Sequence, residues 1–476
     1  MVRCSKGSVM QGVFAVLHRI KNIFADVPFF CFGFAFLRAW VLTIGSTVSS
    51  AWIVTGSYSY TTVFDISCLI ASAAMVIVSR YISPFFVNSK GRLLIGTMLI
   101  LGTIAASFAV EFGFVYCFYL YAVFGGLGFA AAVLMWLEFY ASLNPLRAVI
   151  YYSIARVLGD TFAWLLYGYM TPYLYTMLAG FVIAAFYCLR KCSSSISRLD
   201  LVLADRITKK IPLKATLCVA LYAIVFSFIE SSIITYRSLY PERLLWAIPL
   251  VIIIVGIALR PGKFTTSSVN HLLVFTMLIV VLMLLICNML PQNIIADFVG
   301  IGSFSATVFG ILVLGQISHR LRISALWLFG FARFFRYAGT LLGTAASAYL
   351  IPLGTNTEAL LVAAVLGLIA ILTFIVLSEK TVFSDWNINY VLNTQNGEQE
   401  IADPLAGFGT TFHLTQREEE ILYLLAQGNS ALVISKELFI AEGTVKAHIQ
   451  HIYQKLGVHT RKELMTLIEN GNAPLV

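Results

Sequence analysis

One helix-forming stretch carries residues suited to reading a nucleic acid. Between Glu442 and Gly457, the apolar residues Val445, Ile449, Ile452 and Leu456 recur at intervals of 4, 3 and 4, the period of one helix face. The opposite face holds Gly443, Lys446, Ala447, Gln450 and Gln454. Lys can reach a phosphate or a guanine, Gln can read adenine with two hydrogen bonds, and Ala can touch a thymine methyl. Small residues let such a helix sink into the major groove. His448, His451, Lys455, Arg461 and Lys462 add candidate phosphate contacts. A solvated helix face has much the same composition, so the stripe alone leaves both readings open.

A second set of residues stands out because of where it lies. Arg38, Arg156, Asp160, Glu230, Arg333 and Arg336 interrupt long apolar runs. Ionisable groups in hydrocarbon are costly and face a cavity or a partner. Arg156 and Asp160 are four apart and share a helix face, so they could pair. Arg38, Arg333 and Arg336 would give an electropositive lining suited to an anionic or carboxylate-bearing ligand. The competing reading is that these charges only pair with one another and lock the helices together. Glu138 and Arg147 read as interface charges at the cytoplasmic boundary. No Ser/His/Asp grouping, metal-ligand set or phosphate loop is present, so no enzyme, metal or cofactor is expected. The eight cysteines are scattered without metal-site spacing and read as packing residues.

The elements that must position these residues are of two kinds. Of the 476 residues, 59% are hydrophobic and 12% charged, against about 25% charged in a soluble chain. Runs of about 20 apolar residues, enough to cross a bilayer, fall at 29–55, 61–79, 93–110, 113–137, 148–170, 173–189, 215–236, 244–259, 270–290, 296–317, 324–350 and 358–377, twelve in all. The net charge of +9 lies mostly in short loops. With residues 1–28 taken as a cytoplasmic lead, the even-numbered gaps are basic: Arg80, Lys90 and Arg92; Arg147; the loop 190–214; Arg260 and Lys263; Arg320 and Arg322. The odd-numbered gaps hold only Arg237 and Arg243. The positive-inside rule then places both termini in the cytoplasm, on the side where the DNA is.

The loop at 190–214 divides the spans into six and six. That layout resembles the major facilitator superfamily, whose two six-helix halves enclose a central cavity. Lys90-Gly91-Arg92 is similar to that family's basic loop motif, without its Asp. The resemblance covers 29–377 and implies that spans three, six, nine and twelve are the outer helices. Those four carry none of the six charges noted above.

Residues 378–411 turn polar, rich in Asn, Gln, Gly and Thr, and read as a flexible linker. Residues 412–470 then read as a four-helix domain, followed by a short tail at 471–476. Thr415 with Glu418, and Thr460 with Glu463, form two capping boxes. Ile421, Leu422 and Leu425 share one face, Ser430 caps a second helix carrying Ile434 and Leu438, and Gly457 stops the third. Leu414-Thr415-Gln416-Arg417-Glu418, Leu422, Leu425-Ala426, Gly428, Thr444-Val445-Lys446-Ala447-His448, Ile452, Lys455-Leu456-Gly457-Val458 and Arg461 strongly resemble the LuxR/GerE-type helix-turn-helix. The resemblance implies that Lys446, Ala447 and Gln450 face bases, that Thr444 and Lys455 favour phosphates, and that the last helix mediates dimerisation. Ala431-Leu432-Val433 is more apolar than the family pattern, and Ala441 replaces its usual Ser cap.

The expected fold is therefore all-α: a twelve-span transmembrane bundle followed by a LuxR-type DNA-binding domain. The expected function is a one-component transcriptional regulator in a bacterial inner membrane, sensing a small molecule through its spans. Its expected partners are promoter DNA, the lipid bilayer, an anionic small molecule, a second copy of the chain on DNA, and RNA polymerase. A transporter with a regulatory tail and a membrane scaffold whose tail binds protein are the alternatives.

Overall fold

The computed structural model describes residues 28–52, 60–143, 145–169, 171–195, 213–233, 248–259, 266–285, 292–321, 323–350, 365, 368, 412–426, 434–435, 442–460, 463–464 and 467. The chain divides into two compact units, Met1–Val391 and Leu392–Val476. Among the described residues both are helical, with no strand.

In the first unit the long helices are α1 (Phe34–Trp52), α2 (Tyr60–Ile82), α3 (Ser89–Phe112), α4 (Val115–Ala141), α5 (Pro145–Leu166), α6 (Thr171–Ser195), α7 (Leu213–Ile233), α8 (Ile248–Leu259), α9 (Thr266–Leu285), α10 (Gln292–Leu321) and α11 (Ala325–Leu350). They fall on the first eleven expected spans. The twelfth expected span lies outside the described residues apart from 365 and 368, as do the lead before residue 28, most of the loop 190–214, the linker 378–411 and the tail. Among the described residues, α1–α6 and α10 are long and apolar enough to cross a membrane.

The helices pack as two related groups. α1 packs on α5 and α3 on α4, and the same pairs recur six helices later as α7 on α11 and α9 on α10. The groups meet where α2 crosses α11 and where α5 touches α8 and α10. α4 is deeply enclosed: every residue from Ala130 to Ala141 is buried, as expected for a helix that is apolar all round. Close crossings depend on missing side chains. A Cβ on Gly102 of α3 would lie 2.9 Å from the Gly125 backbone nitrogen of α4. One on Gly343 of α11 would collide with the Phe228 carbonyl and the Ser231 hydroxyl of α7.

Local signals in the sequence end the helices where expected. Asn88 caps α3 through its side-chain oxygen, which accepts from the N–H of Lys90 (3.1 Å) and Gly91 (3.3 Å). Gly113 closes α3 in the left-handed conformation at φ +68°.

The second unit contains α12 (Gln416–Ala426) and α13 (Glu442–Leu456). Its core joins Leu414, Ile421, Leu422, Leu424 and Leu425 to Ile434, Val445, Ile452, Leu456, Val458 and Leu464. Most of the expected second helix, including Ser430 and Leu438, lies outside the described residues.

Candidate nucleic-acid interface and buried charge sites

α13 is an amphipathic helix with two distinct faces. Val445, Ile452 and Leu456 are buried, and Ile449 and Tyr453 pack against the same core. Gly443, Thr444, Lys446, Ala447, Gln450, His451, Gln454 and Lys455 are exposed, while His448 is half-buried. Arg461 lies outside the described residues. The Lys446 ammonium sits 2.8 Å from Glu442 Oε1, one turn back. Both side chains are solvated, and a pair of this kind contributes about 0.3–0.5 kcal/mol, so a phosphate or base edge can take the lysine at little cost. Gly457 ends α13 at φ +65°, and the Val458 N–H donates to the Tyr453 carbonyl at 3.0 Å.

Lys455 differs from the expectation. Its Nζ donates to Glu418 Oε2 at 2.7 Å and to the His413 carbonyl at 2.9 Å. It therefore fastens the end of α13 to the start of α12 instead of projecting freely toward a phosphate. The spacing from Lys455 to Glu418, 37 residues, hid this contact from the sequence. Glu418 also completes the expected capping box, accepting from the Thr415 N–H (2.8 Å) and hydroxyl (3.0 Å). The second box is present as well: Glu463 accepts from the His459 N–H and the Thr460 hydroxyl, both at 2.9 Å.

Burial opposes the charge on Glu418, but the Lys455 ammonium and the two Thr415 donors outweigh it and hold the carboxyl down at about 2, against an ordinary 4.5. A depressed carboxyl contributes stability that is complete above the unfolded value and lost as pH falls through the folded one. Glu418→Gln should therefore destabilise the second unit at neutral pH by about 1–3 kcal/mol. It should also flatten the loss of stability between about pH 4.5 and pH 2. Circular-dichroism melts of the Leu392–Val476 unit across that range check both effects.

In the first unit two salt bridges of the buried charges each close within a helix group. Arg38 Nε on α1 donates to Asp160 Oδ1 on α5 at 2.8 Å. Gly159 makes room for this, since a Cβ there would lie 2.6 Å from Arg38 Cβ. Arg336 Nη2 on α11 donates to Glu230 Oε2 on α7 at 3.2 Å, and the Ser303 hydroxyl of α10 donates to the same oxygen at 2.9 Å. These helix pairs, α1/α5 and α7/α11, are the pairs related by the six-helix repeat, with acid and base exchanged. Neither salt bridge ties one group to the other. Between the groups, the Arg156 guanidinium of α5 lies 5.3 Å from the centre of the Phe304 ring on α10, a cation–π contact.

Two acidic residues have roles the sequence reading missed. Asp65 on α2 lies in the electrostatic reach of Arg336 and Glu230, bringing a third helix to that cluster. A lone carboxylate five residues inside an apolar run was the available signal. Glu138 is not an interface charge. It is buried, and its carboxylate accepts from the N–H groups of Phe85 (2.7 Å) and Phe86 (3.0 Å) and from the Ser83 hydroxyl (2.8 Å). It thus caps the 3-10 turn Phe85–Val87 between α2 and α3. Arg333 and Arg336 line a small open cleft. Arg38, Arg156, Asp160 and Glu230 are not among its lining residues.

Residues 413–468 match the family of bacterial regulatory proteins of the luxR type. The chain is 45% identical over 60 residues to the HTH-type transcriptional regulator MalT of Vibrio campbellii, which is 13% of this chain and 7% of that protein. It is 49% identical over 53 residues to MalT of Yersinia pestis, 11% of this chain and 6% of that protein. The likeness thus spans only 6–7% of these relatives' own length. The fold resembles a bacterial homologue of the iron transporter ferroportin, with a TM-score of 0.53 and 14% identity over 72% of this chain and 96% of that one. It also resembles a double-Trp mutant of XylE, with a TM-score of 0.51 and 12% identity over 79% and 99%. The first unit therefore shares the helical fold of these two solved structures, and the second contains the stretch 413–468 that matches the luxR-type regulatory proteins.

Proposed function

We propose that this chain is a membrane-bound, one-component transcriptional regulator. In this reading the helix-turn-helix at 412–470 binds promoter DNA, and the body at 29–377 senses a small molecule. The observation that carries it is the exposed face of α13. Lys446, Ala447 and Gln450 stand in solvent on a helix fixed from behind by its apolar core, within a stretch that matches the luxR-type regulators. Lys446, Ala447 and Gln450 meet base edges, and Thr444, His448, His451 and Arg461 meet phosphates. Lys455 holds the helix and reaches a phosphate only by leaving Glu418.

Loop charge supports cytoplasmic termini and a bacterial inner-membrane location, which puts the reading domain beside the chromosome. Two copies on DNA would read half-sites about one helical turn apart, and RNA polymerase is the partner such a complex would meet. In the 412–470 stretch basic and acidic residues nearly balance, so nonspecific affinity is modest and specificity rests on base contacts. No catalytic role is proposed. Ligand occupancy in the body, among Arg38, Arg156, Asp160, Glu230, Arg333 and Arg336, changes the availability or pairing of the DNA-binding domains.

The transporter-like fold of the body favours one alternative, a transporter with a regulatory tail. Membrane vesicles carrying the full chain, mixed with sheared genomic DNA at low salt, separate the two. Retention of discrete promoter fragments supports the regulator. Retention of none, together with solute uptake into proteoliposomes above that of protein-free liposomes, supports the transporter.

A further inference from the structure

We infer that Cys31 and Cys192 form an oxidation site, which a small hydroperoxide converts to a disulfide. The site is independent of the regulator reading, since its product forms whether or not the chain binds DNA. Cys31 lies in the 3-10 turn Phe29–Phe32 that leads into α1, and Cys192 lies in the last turn of α6. Read from spacing alone, these cysteines are packing residues; the fold brings them together.

The placement is tightly fixed. The turn packs on α6, and a Cβ on Gly33 would collide with the Cβ of Cys188, one turn before Cys192. The Tyr140 hydroxyl of α4 donates to the Cys31 carbonyl at 3.1 Å. The Cys192 thiol reaches the same turn, donating to the Phe30 carbonyl at 3.5 Å, and the two thiols share a hydrogen bond. Neither is in a disulfide.

Two thiols held in contact react as an intramolecular pair, at high effective concentration. Cys31 is 6% exposed and Cys192 1%, which favours an oxidant little larger than water and lets it meet Cys31 first. The Cys31 sulfur, as its thiolate, attacks one peroxide oxygen. The O–O bond breaks, the sulfur becomes a sulfenic acid, and the other oxygen leaves as water with the thiol proton. The Cys192 sulfur then attacks the sulfenic sulfur. The S–O bond breaks, and hydroxide leaves as water with the Cys192 proton. Two thiols have lost two electrons and two protons, and one peroxide has become two waters. The new bond fastens the start of α1 to the end of α6.

The test exposes the full-length chain in lipid nanodiscs to hydrogen peroxide, blocks the remaining thiols with N-ethylmaleimide, and digests it for mass spectrometry. The expected product is a linked Cys31–Cys192 peptide, at least about tenfold more abundant than any other cysteine pair and lost on reduction with dithiothreitol. In Cys192→Ser the sulfenic acid on Cys31 has no partner, so dimedone added on denaturation should label Cys31. Cys188→Ser should leave the link intact. An unaltered chain whose Cys31 and Cys192 both stay reduced while Cys117 is oxidised would overturn the site whatever the variants do. So would links that join Cys31 or Cys192 chiefly to Cys188, or a yield of the Cys31–Cys192 link no greater than that of other pairs.

Discussion

Replacing Lys446 and Gln450 together by Glu is expected to weaken promoter binding by about 30-fold to 10⁴-fold, since each base-directed side chain contributes about 1–3 kcal/mol. Both side chains are exposed on α13, so the unit should fold as before. Neither belongs to the core of Leu414, Ile421, Val445, Ile452 and Leu456. The loss has two parts. The lysine and glutamine no longer hydrogen-bond base edges, and two carboxylates now face the phosphates at close range. Lys446→Glu also places an acid one turn from Glu442, where like charges repel by a few tenths of a kcal/mol, too little to melt the helix. Fluorescence anisotropy on a promoter fragment measures the change, and an unaltered melting temperature shows that the fold persists. Promoter control that survives the double change would favour a tail that binds protein instead.

The second large effect should come from the body. Asp160→Ala is expected to destabilise it by about 3–5 kcal/mol, the usual consequence of removing one partner from a buried ion pair. The Asp160 side chain is 4% exposed and Arg38 is 20% exposed, so solvent cannot replace the lost carboxylate well. The buried Arg156 guanidinium is one turn away on the same helix, so two cations would face each other with less compensation. Replacing both partners, Arg38→Met with Asp160→Leu, should recover most of the loss, because an apolar pair of similar size avoids the desolvation of two ions. Thermal unfolding of the single and double variants in one detergent gives the comparison. Full recovery marks the pair as structural. A stable double variant that no longer responds to ligand marks it as part of sensing too.

The α-helical layout was legible because hydrocarbon imposes long apolar runs, and α1–α11 follow them closely. The caps at Thr415 and Thr460 were legible because a capping box is a contact between residues three apart. Both faces of α13 could be read from periodicity alone. What could not be read were contacts between residues distant in the chain. Arg156 and Asp160 share a helix face, yet Asp160 accepts a hydrogen bond from Arg38, 122 residues away. Glu138 looked like a boundary charge because its partners, Ser83, Phe85 and Phe86, lie more than 50 positions earlier. Lys455 fitted a phosphate contact by type, and only the fold brings it to Glu418 and His413. The Arg38–Asp160 and Arg336–Glu230 salt bridges each close within a group, while Asp65 of α2 lies in the electrostatic reach of Arg336 and Glu230 across the groups.

Chromatin immunoprecipitation of the full-length, membrane-held chain, compared with its Lys446→Glu/Gln450→Glu form, tests the central claim most directly. Discrete promoter peaks for the unaltered chain, absent from the double variant at equal abundance in the membrane fraction, are the predicted result. An absence of discrete peaks, or the same peaks in both, would contradict it.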